Sequence, residues 1–157
     1  MEQEIDARAL IEVSEIEIIY KSRIKASLRP KIKASKDAAV IFRKYWNLNR
    51  IGFLEECFAM YLNRANKVLA ILPVSLGGIC GTVVDPRIIF AAALKLSACG
   101  LILAHNHPSQ ALNPSGTDIQ LTKSLKEGGK LLQISVLDHL IICEDDAYYS
   151  MADSGDI

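Results

Sequence analysis

The chain has 157 residues, of which 50% are hydrophobic and 23% are charged, and its formal net charge is zero. This length fits one domain with an ordinary hydrophobic core, and the balanced charge gives no overall field that would draw the molecule to nucleic acid or to a membrane. No apolar run approaches the roughly 18–20 residues that span a bilayer. The acidic start, Met1–Glu4, is unlike the basic start of a secretory signal. We therefore expect a cytoplasmic protein.

The four cysteines are widely spaced and form no CxxC pair. In the cytoplasm a disulfide framework is not expected, and a four-thiolate zinc site would show shorter spacings. Each cysteine lies among apolar neighbours, which predicts four small buried side chains. They are Cys57, Cys80, Cys99 and Cys143.

The N-terminal part differs in charge from the rest. Residues 1–20 carry six acidic side chains and one arginine, whereas the segment Lys21–Lys36 carries seven Lys and Arg and no acid. The alternation Glu15–Ile18 predicts a short strand. The basic segment could bind phosphates or an acidic surface, but Tyr20 is its only neighbouring aromatic for base stacking, and such runs are more often solvated faces. We take residues 1–34 as a charged extension whose role the sequence leaves open.

The first elements of the domain are a helix and two strands. Ser35 has the character of an N-cap and predicts a helix of about ten residues. Strand candidates follow at Glu55–Leu62 and Val68–Pro73, joined by a polar turn.

A second helix and a buried strand come next. Asp85 followed by Pro86 predicts a helix start, and the helix is expected to end near Cys99, with Gly100 as a left-handed C-cap. The apolar run Leu101–Ala104 predicts a buried strand.

The last helix and strand complete the pattern. Ser115 is expected to begin a helix that stops at Gly128 and Gly129, and Ile134–Ile142 predicts another strand. Strands joined by hairpins and helices indicate a single α/β (α+β) domain in which helices flank one sheet.

Two of the three histidines stand at the end of the buried strand. His105 and His107 are two residues apart and point to the same side, while Asn106 points to the other. Asp118 lies in the first turn of the helix that begins at Ser115. Two imidazoles and a carboxylate form a ligand set for a hydrolytic zinc ion whose fourth position holds water. Taken separately, a histidine in an apolar strand is usually structural and a Ser-x-x-Asp pair is usually a helix cap.

The joint spacing His105-x-His107-x7-Ser115-x2-Asp118 resembles the HxHx7SxxD motif of the JAB/MPN-type (JAMM) metalloproteases. Two longer strings, residues 104–109 and Val136–Ile142, resemble the bacterial RadC branch of that family. The resemblance extends from about Ser35 to residue 157, which we take as the metal-binding domain. It implies the JAB/MPN fold, a cytidine-deaminase-like mixed sheet flanked by helices.

This chain departs from the RadC pattern in two respects. Gln110 stands where these proteins commonly have glycine, so that the loop after His107 is expected to turn differently. Longer members carry an N-terminal helix-hairpin-helix region, which 157 residues are too few to hold.

Membership would imply a zinc ion bound by His105, His107 and Asp118, and an upstream glutamate that activates the metal-bound water. Glu55 and Glu56 are both candidates, and they would face opposite sides of a strand. Matching the segment after them to RadC-like sequences selects Glu55.

Further roles follow for polar residues around the ligands. By resemblance, Ser115 would donate a hydrogen bond to the metal-bound water or to the developing oxyanion. Asn106 and Asp138 are candidate partners for the second nitrogens of the ligand histidines. His139 follows Asp138 in an apolar strand and is expected to be a structural, hydrogen-bonded histidine and not a fourth ligand.

Three functions are compatible with these residues. A zinc-dependent hydrolase, as a metallopeptidase or isopeptidase, is favoured because the ligands and a glutamate are all present. The alternative is a DNA-repair-associated protein that processes or binds nucleic acid, although nucleases often use two metals held by several carboxylates. A binding module without activity is the third. The sequence identifies neither the substrate nor the oligomeric state.

Overall fold

The computed structural model describes residues 17, 19, 22, 24–79 and 81–157, in which helices and strands form one α/β unit. A 3-10 turn at Ala26–Leu28 precedes them. The helices are α1 (Ser35–Tyr45), α2 (Pro86–Lys95) and α3 (Gly116–Leu132), and the strands are β1 (Glu56–Leu62), β2 (Val68–Leu76), β3 (Gly100–Asn106), β4 (Ser135–Ile142) and β5 (Tyr148–Ser150).

The five strands form one mixed sheet in the order β2-β1-β3-β4-β5. β3 and β4 are parallel, as a crossover through α3 requires, and the other neighbours are antiparallel. Helix α1 packs on one face, while α2 and α3 pack on the other. This arrangement confirms the predicted α/β class with a mixed sheet flanked by helices, and it is consistent with a JAB-like fold.

Alternation along the central strands separates two cores. On β1, Phe58 and Met60 join the core beneath α1, whereas Cys57 and Ala59 join the core beneath α2 and α3. All seven residues of β1 and all seven of β3 are buried. Because side chains two residues apart share a face, His105 continues the side of β3 that faces α2 and α3.

The predicted N-cap of α1 is wrong by one residue. Ala34 occupies the cap position, and the carboxylate of Asp37 accepts hydrogen bonds from the backbone N–H groups of Lys33 (2.8 Å) and Ala34 (3.2 Å). The Ser35 hydroxyl instead donates to Asp153 at 2.5 Å. Asp37 thus satisfies the helix start from within the first turn and leaves Ser35 for a contact with the C-terminal segment.

The start of α2 is confirmed and its end is corrected. The Asp85 carboxylate accepts from the N–H of Arg87 at 2.9 Å, and Pro86 is the first helical residue. The helix ends at Lys95, before the predicted end, and Ser97 adopts the left-handed conformation with φ of 51°. Gly100 is the first residue of β3, where an added Cβ would lie 3.1 Å from the Leu137 side chain.

The predicted stop of α3 at Gly128 and Gly129 is also wrong, because the helix continues to Leu132 and ends at Gln133 in a left-handed C-cap. Gly129 is buried inside the helix, and a Cβ on it would collide with the backbone oxygen of Ile134. A close backbone approach between α3 and the start of β4, and not a chain break, therefore explains this glycine.

The strand predictions need smaller corrections. β1 begins at Glu56 and not at Glu55, and β2 continues past Pro73 to Leu76. Proline is tolerated there because β2 is an edge strand of the sheet. The strand predicted at Glu15–Ile18 lies outside the described residues, apart from Glu17.

The cysteine prediction holds at two of three described positions. Cys57 and Cys143 are buried, whereas Cys99 is exposed at the turn before β3, and Cys80 lies outside the described residues. These three described thiols are free. In the part of the chain that the structure covers, no helix combines the length and apolar character needed to cross a membrane.

Candidate metal centre

The three predicted ligands meet where β3 ends and α3 begins. The Nε2 atoms of His105 and His107 are 3.0 Å apart. The Asp118 carboxylate places one oxygen 3.3 Å from His105 Nε2 and the other 3.4 Å from His107 Nε2. His105 is buried, and the other two ligands are partly exposed at the mouth of the site.

These distances suit a tetrahedral zinc ion. Zinc bonds to nitrogen and oxygen of about 2.0–2.1 Å imply ligand-to-ligand distances of about 3.3–3.4 Å around a tetrahedron. The observed separations of 3.0, 3.3 and 3.4 Å lie close to that value, although the two Asp118 distances end on different carboxylate oxygens. With one ligand atom from each residue, a fourth position would remain for water. The donor set therefore fits a catalytic zinc site.

The pKa values of Asp118 and His107 are shifted by the contacts within this group of side chains. Burial alone would raise the pKa of Asp118, but the nearby imidazoles of His105 and His107 outweigh it and hold that pKa well below its usual range. The hydrogen bond with Asp118 raises the pKa of His107. Asp118 is therefore a carboxylate at neutral pH, as a metal ligand must be.

The hydroxyl of Ser115 is occupied by Asp118. Ser115 caps α3: its Oγ accepts from the N–H of Asp118 (3.1 Å) and donates to the carboxylate (2.6 Å), which also accepts from the Ser115 N–H at 2.7 Å. This capping box fixes the Asp118 ligand at the helix start. Donation to a water or an oxyanion would require the hydroxyl to rotate, and that role stays a prediction.

The two candidate glutamates lie on opposite sides of the sheet, as the alternation requires. Glu55 lines the same cavity as the three ligands. Its N–H donates to Gly78 O and its carbonyl accepts from Gly77 N–H, at 3.1 and 2.8 Å. Glu56 points to the other face, where its carboxylate is bonded to Arg50 at 2.7 Å. The geometry thus agrees with the choice of Glu55, whose role as a base stays a prediction.

Asn106 holds the glutamate segment against β3. Its side-chain oxygen accepts from the Glu56 N–H at 2.8 Å, and its amide donates to the carbonyls of Ile51 (2.6 Å) and Leu54 (2.9 Å). The Asn106 side chain therefore bonds to the backbone and not to the rings of His105 and His107, for which it was one candidate partner. Because this buried amide forms hydrogen bonds with three backbone groups, it fixes the position of the segment that brings Glu55 to the site.

Asp138 also has a different partner set from the one predicted. Its carboxylate accepts from Ser150 Oγ (2.6 Å), from Ala152 N–H (3.0 Å) and from His139 N–H (2.8 Å). It thus anchors β4 to the C-terminal turn and reaches neither ligand.

The actual hydrogen-bond partners of His105 and His107 were not predicted from the sequence. His107 Nδ1 lies 2.8 Å from the carbonyl oxygen of Ala111 in the following loop. His105 Nδ1 lies 2.8 Å from His139 Nε2, and His139 Nδ1 lies 2.6 Å from the hydroxyl of Thr122. The position of Thr122 four residues after Asp118 was the one local signal, because these residues share a helix face. His139 is hydrogen-bonded and outside the candidate ligand group, as predicted.

Gln110 shapes the loop between the ligands. It adopts φ of 63°, which explains why the equivalent position suits glycine. Its backbone N–H donates to His107 O at 2.9 Å, and its side-chain oxygen accepts from the N–H of Glu144 at 2.7 Å. The glutamine thus ties the loop to the connection between β4 and β5.

The cavity at the site has a volume of about 470 Å³. Besides the ligands and Glu55, its walls are mostly small and polar. The residues that complete them include Thr82, Val84, Ser109, Asn113, Thr117 and Leu121.

Comparison with known proteins decides the family. Residues 32–156 match the RadC-like JAB domain, which accounts for most of the chain. The chain belongs to the RadC-like JAB domain family. The match includes every residue of the candidate metal centre and begins three residues before α1.

Curated relatives support this membership. A UPF0758 protein of Flavobacterium johnsoniae is 44% identical over 153 residues, which are 96% of this chain and 64% of the relative. Similar proteins of the same name occur in Alkaliphilus metalliredigens (50% identical over 57% of this chain and 38% of the relative) and Methanosarcina mazei (44% identical over 64% and 44%). This chain therefore spans less than two thirds of the length of these relatives.

Proposed function

We propose that this RadC-like JAB domain is a zinc-dependent hydrolase of amide bonds, a metallopeptidase or isopeptidase. The observation that carries the proposal is the cluster of two histidine nitrogens and the Asp118 carboxylate. His105 Nε2 and His107 Nε2 lie 3.0 Å apart, and each lies 3.3 or 3.4 Å from one carboxylate oxygen, close to the spacing of ligands around a zinc ion. A carboxylate from Glu55 in the same cavity supplies the remaining group that such chemistry needs.

A zinc ion at this position would polarise the scissile carbonyl and lower the pKa of water from about 15.7 towards about 7. Two residues of the protein would supply the proton transfer and the positioning of the ligand carboxylate. The Glu55 carboxylate would take the proton of the attacking water on one of its oxygens and return it to the leaving amine. Ser115 holds Asp118 through the capping box. If its hydroxyl rotates, it would donate to the developing oxyanion, a contact that is typically worth about 3 kcal/mol.

The nucleic-acid alternative has less support. The lysines of the basic segment that the structure describes are exposed and lie before α1 or in its first turn, and none of these described lysines lines the cavity. The described residues show one three-residue ligand group and no second cluster that would hold a neighbouring ion. Nucleases that use two metals need such a second set.

Metal content and substrate class test the proposal together. We expect the purified wild type to bind one zinc per chain by elemental analysis, and Asp118→Ala to lose it. The wild type is then assayed with peptides, lysine isopeptides, and single- and double-stranded DNA, with Glu55→Gln as the matched variant. Amide cleavage that is absent in Glu55→Gln supports the hydrolase. Absence of metal from the wild type contradicts the proposal, and DNA cleavage that depends on Glu55 without amide cleavage favours the alternative.

A further inference from the structure

Two buried side chains outside the ligand set connect His105 to the backbone of Asp118. Thr122 on α3 and His139 on β4 are both fully buried. The Thr122 hydroxyl donates to the carbonyl oxygen of Asp118 at 2.7 Å, and Thr122 Oγ1 is 2.6 Å from His139 Nδ1. His139 Nε2 is in turn 2.8 Å from His105 Nδ1. The chain of contacts begins at one proposed ligand and ends at another.

The position of each proton follows from the donors available. A hydroxyl has one proton, and the Asp118 carbonyl at 2.7 Å can only accept and is a better acceptor than the Met151 sulfur at 3.6 Å. When Thr122 donates to Asp118 O, its Oγ1 accepts from His139 Nδ1–H. A neutral His139 then carries a lone pair on Nε2, which accepts from His105 Nδ1–H. His105 consequently keeps a lone pair on Nε2, the atom that faces His107 and Asp118.

A reversed chain would disable the site. If Thr122 donated to His139 instead, His139 Nε2–H would donate to His105 Nδ1, and the His105 proton would lie on Nε2. A protonated nitrogen cannot coordinate a metal ion. The bond from Thr122 to the Asp118 carbonyl selects the productive direction.

The position of His139 is consistent with a neutral ring. Its side chain is fully buried, and its two ring nitrogens have Thr122 Oγ1 and His105 Nδ1 as hydrogen-bond partners, neither of which is a carboxylate. A buried imidazolium without a carboxylate hydrogen-bonded to it would be costly.

We propose that Thr122 and His139 are positioning residues for the metal centre, and that they form a buried relay which keeps the His105 proton on Nδ1 and its Nε2 free to coordinate. The inference rests on the metal centre of the proposed function. The relay also joins two ligands from distant parts of the chain, since it begins at the backbone of Asp118 on α3 and ends at His105 on β3.

Thr122→Val and Thr122→Ser test the relay as a pair. Valine keeps the shape and removes the hydroxyl, whereas serine keeps the hydroxyl. We expect Thr122→Val to bind zinc about 10–100-fold more weakly, the range for outer partners of metal ligands, and Thr122→Ser to restore most of the affinity. The matched control is Ser124→Val, at an exposed position of the same helix, which should leave the affinity unchanged.

A spectroscopic measurement separates a positioning role from general weakening of the fold. Imidazole ¹⁵N chemical shifts identify which nitrogen of His105 is protonated. We expect Nδ1–H in the wild type and in Thr122→Ser, and a mixture or Nε2–H in Thr122→Val. His139→Phe keeps a ring of similar size without nitrogens and gives an independent measurement of the same loss.

The outcomes distinguish the two proposals. A wild type that binds no zinc overturns the metal centre and the relay together. If the wild type binds zinc but Thr122→Val and His139→Phe bind it within about twofold of the wild type, with the His105 proton unmoved, the relay alone is overturned. Equal losses in Thr122→Val and Ser124→Val also overturn it, because the effect would then belong to the helix in general.

Discussion

At the scale of single residues, the most consequential distinction is between two adjacent glutamates. Glu55 lines the cavity of the metal centre, whereas Glu56 is buried on the opposite face and is bonded to Arg50. One Glu56 oxygen has no hydrogen-bond partner among the described residues. The two side chains are chemically identical, so that their surroundings alone decide what each can do.

Separate glutamine substitutions test this distinction. We expect Glu55→Gln to retain zinc and to lose amide hydrolysis by about 10²–10⁴-fold, because a general base is removed without a change of shape. Glu56→Gln should retain activity and lose modest stability through its bond to Arg50. Steady-state hydrolysis and zinc content are measured for both variants. A Glu56→Gln enzyme that is inactive while Glu55→Gln remains active would reverse the assignment.

Gln110 gives a second prediction at this scale. At φ of 63°, the left-handed backbone conformation costs alanine about 1–2 kcal/mol of steric strain, which glycine does not have. Both Gln110→Ala and Gln110→Gly lose the contact with the Glu144 N–H, but only alanine keeps the strain. We therefore expect Gln110→Ala to be less stable than Gln110→Gly, by about 1 kcal/mol in urea unfolding. Equal stability, or a more stable alanine variant, would show that the strain at this position is relieved elsewhere.

At the scale of elements, the junction between α3 and β4 depends on a close approach at Gly129. A Cβ there would collide with the Ile134 backbone oxygen, whereas a Cβ on Gly128 would meet only the Phe90 ring, at 3.1 Å. A ring edge can move by a few tenths of an ångström more easily than a backbone that is paired in the fold.

The same substitution at the two adjacent positions should therefore change stability by different amounts. We expect Gly129→Ala to destabilise the protein by about 1–3 kcal/mol through overpacking. Gly128→Ala should be near neutral, because alanine improves helix propensity by about 1 kcal/mol. Urea unfolding followed by circular dichroism measures both. Similar losses in the two variants would contradict the explanation from the Ile134 contact.

The elements also show what could be predicted from the sequence and what could not. Local signals placed the start of α2 at Pro86 and the start of α3 after Ser115, and strand alternation placed both ligand histidines on one side. The predicted end of α3 is wrong because Gly129 is required by a tertiary contact, its close approach to the Ile134 backbone, and does not end the helix. The link between His105 and His139 joins residues 34 positions apart through the pairing of β3 and β4, and no local pattern specifies that pairing.

At the scale of the whole molecule, buried and coupled histidines make stability depend on pH. With a folded pKa of about 3 and an unfolded value near 6.5, His139 takes up a proton only when the chain unfolds, so that stability is lost as the pH falls below about 6.5. His107 has the opposite sign. Its raised pKa contributes stability that is present below about 6.5 and is lost as the pH rises through its folded pKa.

The metal-free protein should thus be most stable near pH 6.5. Between pH 6.5 and 5 we expect the free energy of unfolding to fall, by at most about 1.4 kcal/mol per pH unit for this one group. His139→Phe should show a flatter dependence over the same range. Urea unfolding in the presence of a chelator measures both proteins. Parallel pH profiles for the two would assign the dependence to other groups.

The location of β3 between β1 and β4 has a consequence for local opening. His105 pairs with Cys57 on one side and Ile141 on the other, while His107 and Asp118 lie beyond the end of the strand. Backbone amides of β3 should exchange with solvent hydrogen only on global unfolding, whereas those of residues 108–115 should exchange through small local openings. Addition of zinc would then slow exchange in the loop and leave β3 almost unchanged. A bound metal would therefore link the loop of residues 108–115 to β3. The loop would then open mainly when β3 itself unfolds.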